Sequence, residues 1–189
     1  MSFIVATLMT YVSPEATLGL FVSLFNSEKY MLQQLYLPGL TGLEYCNYIH
    51  LCLMKKYMPK LHDKMLAEGF TPQMYTGSWF MTCFCNYFDF TLVVRILDVY
   101  LVEGRKTLFR IALAILKANE DELMKSDMSG MFMIIKDFKQ KANLDHLFEI
   151  AFDKFTFSKD LMSELHESYE QKKFNPKQKA TADIIKLSN

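Results

Sequence analysis

The stretch YTGSWFMTCFCNYFDFTLVVRILDVYLVEGRKTLFRIALAIL, residues 75–116, is both the most apolar and the most patterned part of the chain. Its spacing predicts three packed helices. The first runs over residues 75–86 and carries the only tryptophan, Trp79. Asn86 and Asp89 mark a break, with Asp89 suited to cap the next helix. Residues 90–102 are apolar almost all round, with Leu92, Ile96 and Tyr100 on one face and Val93, Leu97 and Leu101 beside them. A helix of that kind is buried. Gly104 is the expected C-terminal stop, and residues 106–116 resume helical spacing through Leu108, Ile111, Ala112, Ile115 and Leu116.

Outward from this core, the chain reads as helices joined by short turns. Ser13-Pro14-Glu15 is a helix start, with serine at the cap, proline at the first helical position and an acid in the first turn. A second amphipathic piece is expected over residues 28–37, followed by a forced turn at Pro38-Gly39. A long helical stretch over residues 43–68 is broken at Pro59, which cannot donate an internal hydrogen bond, and stopped at Gly69. Beyond Lys117 come a short helix capped by residues 119–122, helices over 131–141 and 144–155, and a last helix from Ser158 to about Lys172. Lys173 opens a polar, basic tail with a small apolar cluster at Ile184, Ile185 and Leu187, read as a solvated end. No internal repeat or long linker divides the chain. The expectation is one all-α domain over residues 1–172, a multi-helix array, with a tail over 173–189.

Composition narrows the partners. The 21 basic and 21 acidic residues leave no formal net charge, and the basic side is mostly lysine, which excludes a generic nucleic-acid binder and favours a protein partner. Thirteen methionines in a chain that is 51% hydrophobic suit either core filling or adaptable contacts. Residues 1–12 are apolar but lack a basic n-region and a cleavage pattern, and no uncharged apolar run is long enough to span a bilayer. The expected location is intracellular, cytoplasmic or peripheral to a membrane.

Cysteine chemistry is equally sparse. Cys83 and Cys85 lie two apart on the expected helix, so their side chains diverge, and neither belongs to a C-x-x-C pair. Cys46 and His50 share a helix face, but two ligands without a second pair make no zinc site. His62, His146 and His166 are scattered beside charged residues. The reading is free thiols in a reducing compartment, with no metal, no cofactor and no nucleophile-base pair.

The order Trp79-Phe80, Arg95-Ile96-Leu97-Asp98, Glu103-Gly104 and Leu108-Phe109-Arg110-Ile111-Ala112-Leu113 is similar to the second half of TBC domains, the GTPase-activating domains that act on Rab proteins. Tyr36-Leu37-Pro38-Gly39-Leu40, with its spacing to Gly42-Leu43, resembles the same family. The family usually carries tryptophan before the aspartate, where this chain has Leu97; the position stays large and apolar. The motif residues so identified are Pro38, Gly39, Trp79, Phe80, Arg95, Asp98, Gly104 and Phe109.

The resemblance implies a Rab-type small GTPase as partner and two catalytic fingers. Residues 1–12 look like the helix that follows the glutamine-finger motif, which places that glutamine two residues ahead of Met1 and the arginine finger further upstream. Substitutes are absent: none of Arg95, Arg105 and Arg110 has an aspartate three residues before it, and each reads as a surface charge or a partner of an acid such as Asp98. Tyr169-Glu170-Gln171 and the Ile134, Asp137, Gln140 series match fragments of the finger motifs in the wrong order. No catalytic residue is therefore assigned. Two readings follow: the C-terminal part of a Rab GTPase activator whose fingers lie upstream or on another chain, or a binding or scaffold subunit of a larger complex built on a degenerate TBC fold. In both, the apolar helix of residues 1–12 is expected to be covered by a partner or by an upstream segment.

Overall fold

The computed structural model describes residues 1–174, and twelve α-helices make up most of them, with no strand among the described residues. The helices are α1 Ser2–Leu8, α2 Pro14–Asn26, α3 Leu32–Leu35, α4 Thr41–Tyr57, α5 Pro59–Ala67, α6 Thr76–Phe80, α7 Phe90–Glu103, α8 Lys106–Ala118, α9 Glu120–Lys125, α10 Met128–Lys141, α11 Leu144–Glu149 and α12 Lys159–Phe174. The all-α expectation holds. The tail cluster at Ile184, Ile185 and Leu187 lies outside the described residues.

Local chemistry sets most boundaries. Ser13, Asp89, Asp127, Asn143 and Ser158 each accept a backbone N–H from the third residue onward, satisfying donors that a helix start leaves unpaired. Pro59 takes the first position of α5, so the long stretch breaks at Met58 instead of bending. Gly69, at φ +70°, ends α5: Phe70 N–H reaches Met65 O and Gly69 N–H reaches Leu66 O. Asn119 departs from the sequence reading. It makes no cap for α9 and instead donates its amide to Ile115 O, closing α8.

Helix α8 is the centre of the array. Thr107, Leu108, Phe109 and every residue from Ile111 to Leu116 are buried, with α4, α6, α7, α9, α10 and α11 packed around it. Against it lies an aromatic layer. Phe80 meets Phe109 edge-on at 5.4 Å, and Trp79 touches Tyr75, Phe84 and Tyr87 at 4.9, 5.7 and 5.5 Å. His50 closes the layer, its Nε2 3.0 Å from the Tyr75 hydroxyl and its ring edge-on to Phe80. Complete burial holds the His50 pKa down at about 3, so the ring is neutral in the folded protein.

Four expectations are corrected by the packing. The helix expected over 75–86 ends at Phe80, and residues 81–88 form turns in which Cys83 and Phe84 adopt left-handed backbone, φ 48° and 63°. The reversal lets Phe84 and Tyr87 pack back on Trp79, with Phe88 against both of them, a gain that offsets the local strain. The piece expected over 28–37 is helical only at Leu32–Leu35, because residues 29 and 30 are used as an anchor. The 144–155 helix widens into a π turn over Ile150–Lys154. The first helix stops at Leu8.

The anchor defines the α7–α8 corner. Gly104 sits at φ 76°, ψ −152°, a region only glycine occupies freely, and a Cβ there would lie 2.7 Å from Lys29 O. Arg105 N–H donates to that same Lys29 carbonyl, Tyr30 hydroxyl donates to Leu101 O at 2.8 Å, and Tyr100 hydroxyl donates to Tyr30 O at 3.0 Å. Gly42 plays a parallel part, since a Cβ on it would meet the Gln34 carbonyl at 2.4 Å where α4 crosses α3.

Two stability outcomes follow. Gly104→Ala is expected to cost ~2 kcal/mol or more in urea unfolding, whereas Gly19→Ala, on the open face of α2 with nothing within 4 Å, gains ~0.5–1 kcal/mol; equal effects would remove the special role of the corner. His50 works through pH: its folded pKa lies below its ordinary 6.5, so its stabilising contribution is complete above that value and is lost as pH falls from there towards about 3. Replacing it with leucine should flatten the stability profile in that window by up to one proton, ~1.4 kcal/mol per pH unit, as read from denaturant midpoints at stepped pH.

Candidate functional site

The motif residues divide into a buried set and an exposed set. Trp79, Phe80 and Phe109 belong to the aromatic layer and are wholly inaccessible to a partner. Pro38 and Gly39 form a turn in which Leu40 N–H bonds Leu37 O, with Gly39 at φ +82°. That turn aims α4 so that Gly42 can meet α3. Gly104 makes the corner already described. Leu97, in place of the expected tryptophan, is buried in the core and fills its position without opening the surface.

Arg95 and Asp98 are exposed on α7, as Pro38 and Gly39 are at their turn. Thr91, Arg95, Asp98 and Val102 recur at helical spacing and form the outward stripe of α7. Arg95 rests its guanidinium 6.0 Å from the Phe148 ring. Asp98 forms no ion pair with any arginine, so Arg95 follows the surface-charge reading and not the alternative of pairing with Asp98. Asp98 lies near Tyr11, whose phenol is pushed above its ordinary range by partial burial and then by this carboxylate. The acid that takes an arginine is Glu103. It pairs with Arg110, which also donates from Nε to Phe155 O at 3.0 Å and stacks on Phe152 and Phe157.

Tyr11 links this stripe to a larger apolar face. Helix α1 buries Ile4, Thr7 and Leu8 but leaves Phe3 46% exposed, with Met1, Met9, Tyr11 and Val12 open beside it. Helix α2 buries only Thr17 and Leu24 and exposes Leu18, Leu20 and Val22, with Leu18 at 65%. Its composition explains this: apart from Glu15 it has no charged residue, so an apolar surface remains whichever way it turns. Sequence reasoning anticipated the apolar first helix. It missed that α2 extends the face, because a mostly apolar helix reads as core until its neighbours are known.

Thiols and imidazoles are inward-facing or dispersed. Burial pushes the Cys46 thiol up to about 12 and the Cys85 thiol to about 11, the latter eased by Thr7 beside it. Both are poor nucleophiles at neutral pH. Cys46 and His50 do share a helix face, but His50 is committed to Tyr75, and no group of three His, Cys, Asp or Glu side chains able to hold a metal occurs among the described residues. Of the motif fragments, Ile134 and Asp137 line a small cleft of about 220 Å³ with Asn119 and Glu122, while Gln140 lies exposed. Tyr169 packs on Tyr45 and Tyr48, away from that cleft. No helix among the described residues is long and apolar enough to cross a membrane.

Comparison with known proteins places this geometry. The chain is 35% identical over 130 residues to human "Ecotropic viral integration site 5 protein homolog", covering 69% of this chain and 16% of that protein. It is 32% identical over 185 residues to "Rab GTPase-activating protein eat-17" of Caenorhabditis elegans, covering 95% of this chain and 20% of that one. With "GTPase-activating protein GYP5" of Saccharomyces cerevisiae it shares 34% over 138 residues, 72% of this chain and 15% of that protein. The chain thus spans about a fifth or less of these relatives' length. A solved Chlamydomonas flagellar RabGAP TBC domain superposes with a TM-score of 0.65 at 25% identity, over 80% of this chain and 50% of that one. The Rab-GTPase-TBC domain profile matches residues 1–124, which take in every motif residue from Pro38 to Phe109. The chain belongs to the Rab-GTPase-TBC domain family.

Proposed function

We propose that these residues form the GTPase-facing and scaffold-bearing part of a Rab-directed TBC domain, which binds a Rab-type small GTPase and supplies no catalytic finger of its own. The observation that carries this reading is the employment of the three arginines. GTP hydrolysis is accelerated by a cation placed on the developing phosphate charge. Arg110 is held by Glu103, Phe155 O and two aromatic rings, Arg105 lies over the Tyr45 ring at 5.8 Å, and Arg95 lies over Phe148. Arg110 is thus held on its own fold, and Arg95 and Arg105 each lie against one of its aromatic rings.

The outward stripe of α7, with Arg95 and Asp98, is the surface assigned to the GTPase. It is polar, carries both signs of charge and sits on a rigid helix whose opposite face is core. Family membership supports the class of partner, since named relatives are Rab GTPase-activating proteins.

A second reading, in which the fold serves as a subunit of a larger assembly, is favoured by one separate observation: the joined apolar face of α1 and α2. Eight exposed large hydrophobic side chains between Met1 and Val22 make a surface that soluble monomers seldom leave open.

Single-turnover GTP hydrolysis by Rab-type GTPases should proceed at its intrinsic rate with this chain added, while the GTP-bound GTPase is retained on the immobilised chain and released by Asp98→Arg. Acceleration lost on replacing Arg95, Arg105 or Arg110 would overturn the finger-free assignment. For the apolar face, light scattering across a concentration series should show self-association or capture of an added TBC N-terminal half, with Phe3→Ser plus Leu18→Ser restoring a monomer. A wild-type chain monomeric throughout and indifferent to that half would sink the assembly reading.

A further inference from the structure

An open cleft of about 410 Å³ lies between the α7–α8 corner and α12, on the part of the surface that the GTPase and assembly readings do not use. Its charge is one-sided. Arg105, Lys106 and Lys159 line it with His166 and the Ser163 hydroxyl, and one carboxylate, Glu167, faces them. That leaves two permanent positive charges in excess, in a chain whose formal net charge is zero.

Two of the three cations are held in place. Lys106 is pinned with its ammonium 3.2 Å from Phe157 O, immediately before the start of α12, and Arg105 is set by the Gly104 corner and lies over Tyr45. Lys159 is the first residue of α12, whose start is capped by Ser158, and its exposed side chain lines the opening. Helix α8 begins here with no side-chain cap and no acid in its first turn, which adds the favourable end of its dipole to the same region. His166 is held edge-on against the Tyr45 ring at 5.6 Å, on the wall opposite Lys106.

We infer that this cleft binds a multiply phosphorylated small molecule of the inositol phosphate class. A lone monovalent anion would use one cation and leave the others to repel each other, whereas several phosphates on one ring can engage Arg105, Lys106 and Lys159 together. A guanidinium provides the planar fork for phosphate oxygens, and the two ammonium groups act as point charges around it. The volume falls in the range of small-ligand sites, larger than a single ion requires. The cleft opens to solvent, so the same chemistry can arrive as a free inositol phosphate or as the headgroup of a phosphoinositide in a membrane.

The test uses the whole chain. Calorimetric titration with inositol trisphosphate should give saturable binding, weakened about tenfold by Lys159→Glu and strengthened by Glu167→Gln. Lys60→Glu, on α5 outside the cleft, should leave it unchanged. Unaltered thermal melting of the Lys159 variant keeps the comparison on binding, since that side chain is exposed. Sedimentation with phosphatidylcholine vesicles containing phosphatidylinositol bisphosphate then separates the sources: co-sedimentation sensitive to Lys159→Glu assigns the lipid headgroup, and titration binding without co-sedimentation assigns the soluble form. No binding to the trisphosphate, or a loss equally large in the Lys60 variant, would overturn the site.

Discussion

The burial of α8 is the condition on which the rest of the molecule depends. A helix enclosed by six others must enter and leave its tunnel at fixed angles, and the entry angle is set at Gly104 by a backbone conformation that other residues avoid. The carbonyl of Lys29 occupies the space a Cβ would need and accepts the next N–H. One close contact therefore ties the N-terminal helices to the core helix. It also explains why residues 29 and 30 give up helical structure: their backbone groups are worth more as partners of the corner than as part of another short helix, which on its own would be marginal.

Around that post, tyrosine hydroxyls do the long-distance fastening. Tyr30 reaches Leu101 O and Tyr100 reaches Tyr30 O across the corner, Tyr36 reaches Met81 O, Tyr87 reaches Ile135 O, Tyr57 reaches Thr156 O and Tyr48 meets Ser168. Each places an aromatic body against the core and its O–H on a backbone carbonyl or, for Tyr48, on a serine hydroxyl. The arrangement ties backbone carbonyls of one element to the core of another, and it does so without buried charge. Helix α12 is held in this way, by Tyr45, Tyr48 and Tyr169 stacking between it and α4, and the basic cleft exists because that docking brings Lys159 opposite Arg105.

Function divides along the same lines. The motif residues that identify the family are mostly structural here: they build the aromatic layer, the Pro38-Gly39 turn and the corner. Surfaces available to a partner are the outer stripe of α7, which carries the motif residues Arg95 and Asp98, and the apolar face of α1 and α2, which carries none. The arginines show the distinction well. Arg110, beside the most diagnostic run, is the most deeply committed to its own fold, with a carboxylate, a carbonyl and two rings as neighbours.

By itself the sequence determined the helical class, the caps at Ser13, Asp89 and Ser158, the stops at Gly69 and Gly104, the Pro38-Gly39 turn and the buried character of α8. All are written in neighbours a few residues apart, where apolar period, capping oxygens and glycine or proline backbones act directly. Helix α7, expected to be buried all round, instead leaves Phe90, Thr91, Arg95, Asp98 and Val102 exposed. The tertiary structure alone decided that residues 81–88 would turn back around Trp79, that Asn119 would close α8, that Glu103 and not Asp98 would take an arginine, and that α2 would stay on the surface. It also decided that Arg105 and Lys159 would share a cleft. Local preferences for those segments are weak or contrary, and the outcome rests on contacts between residues far apart in the chain, whose energy appears only once α8 is enclosed.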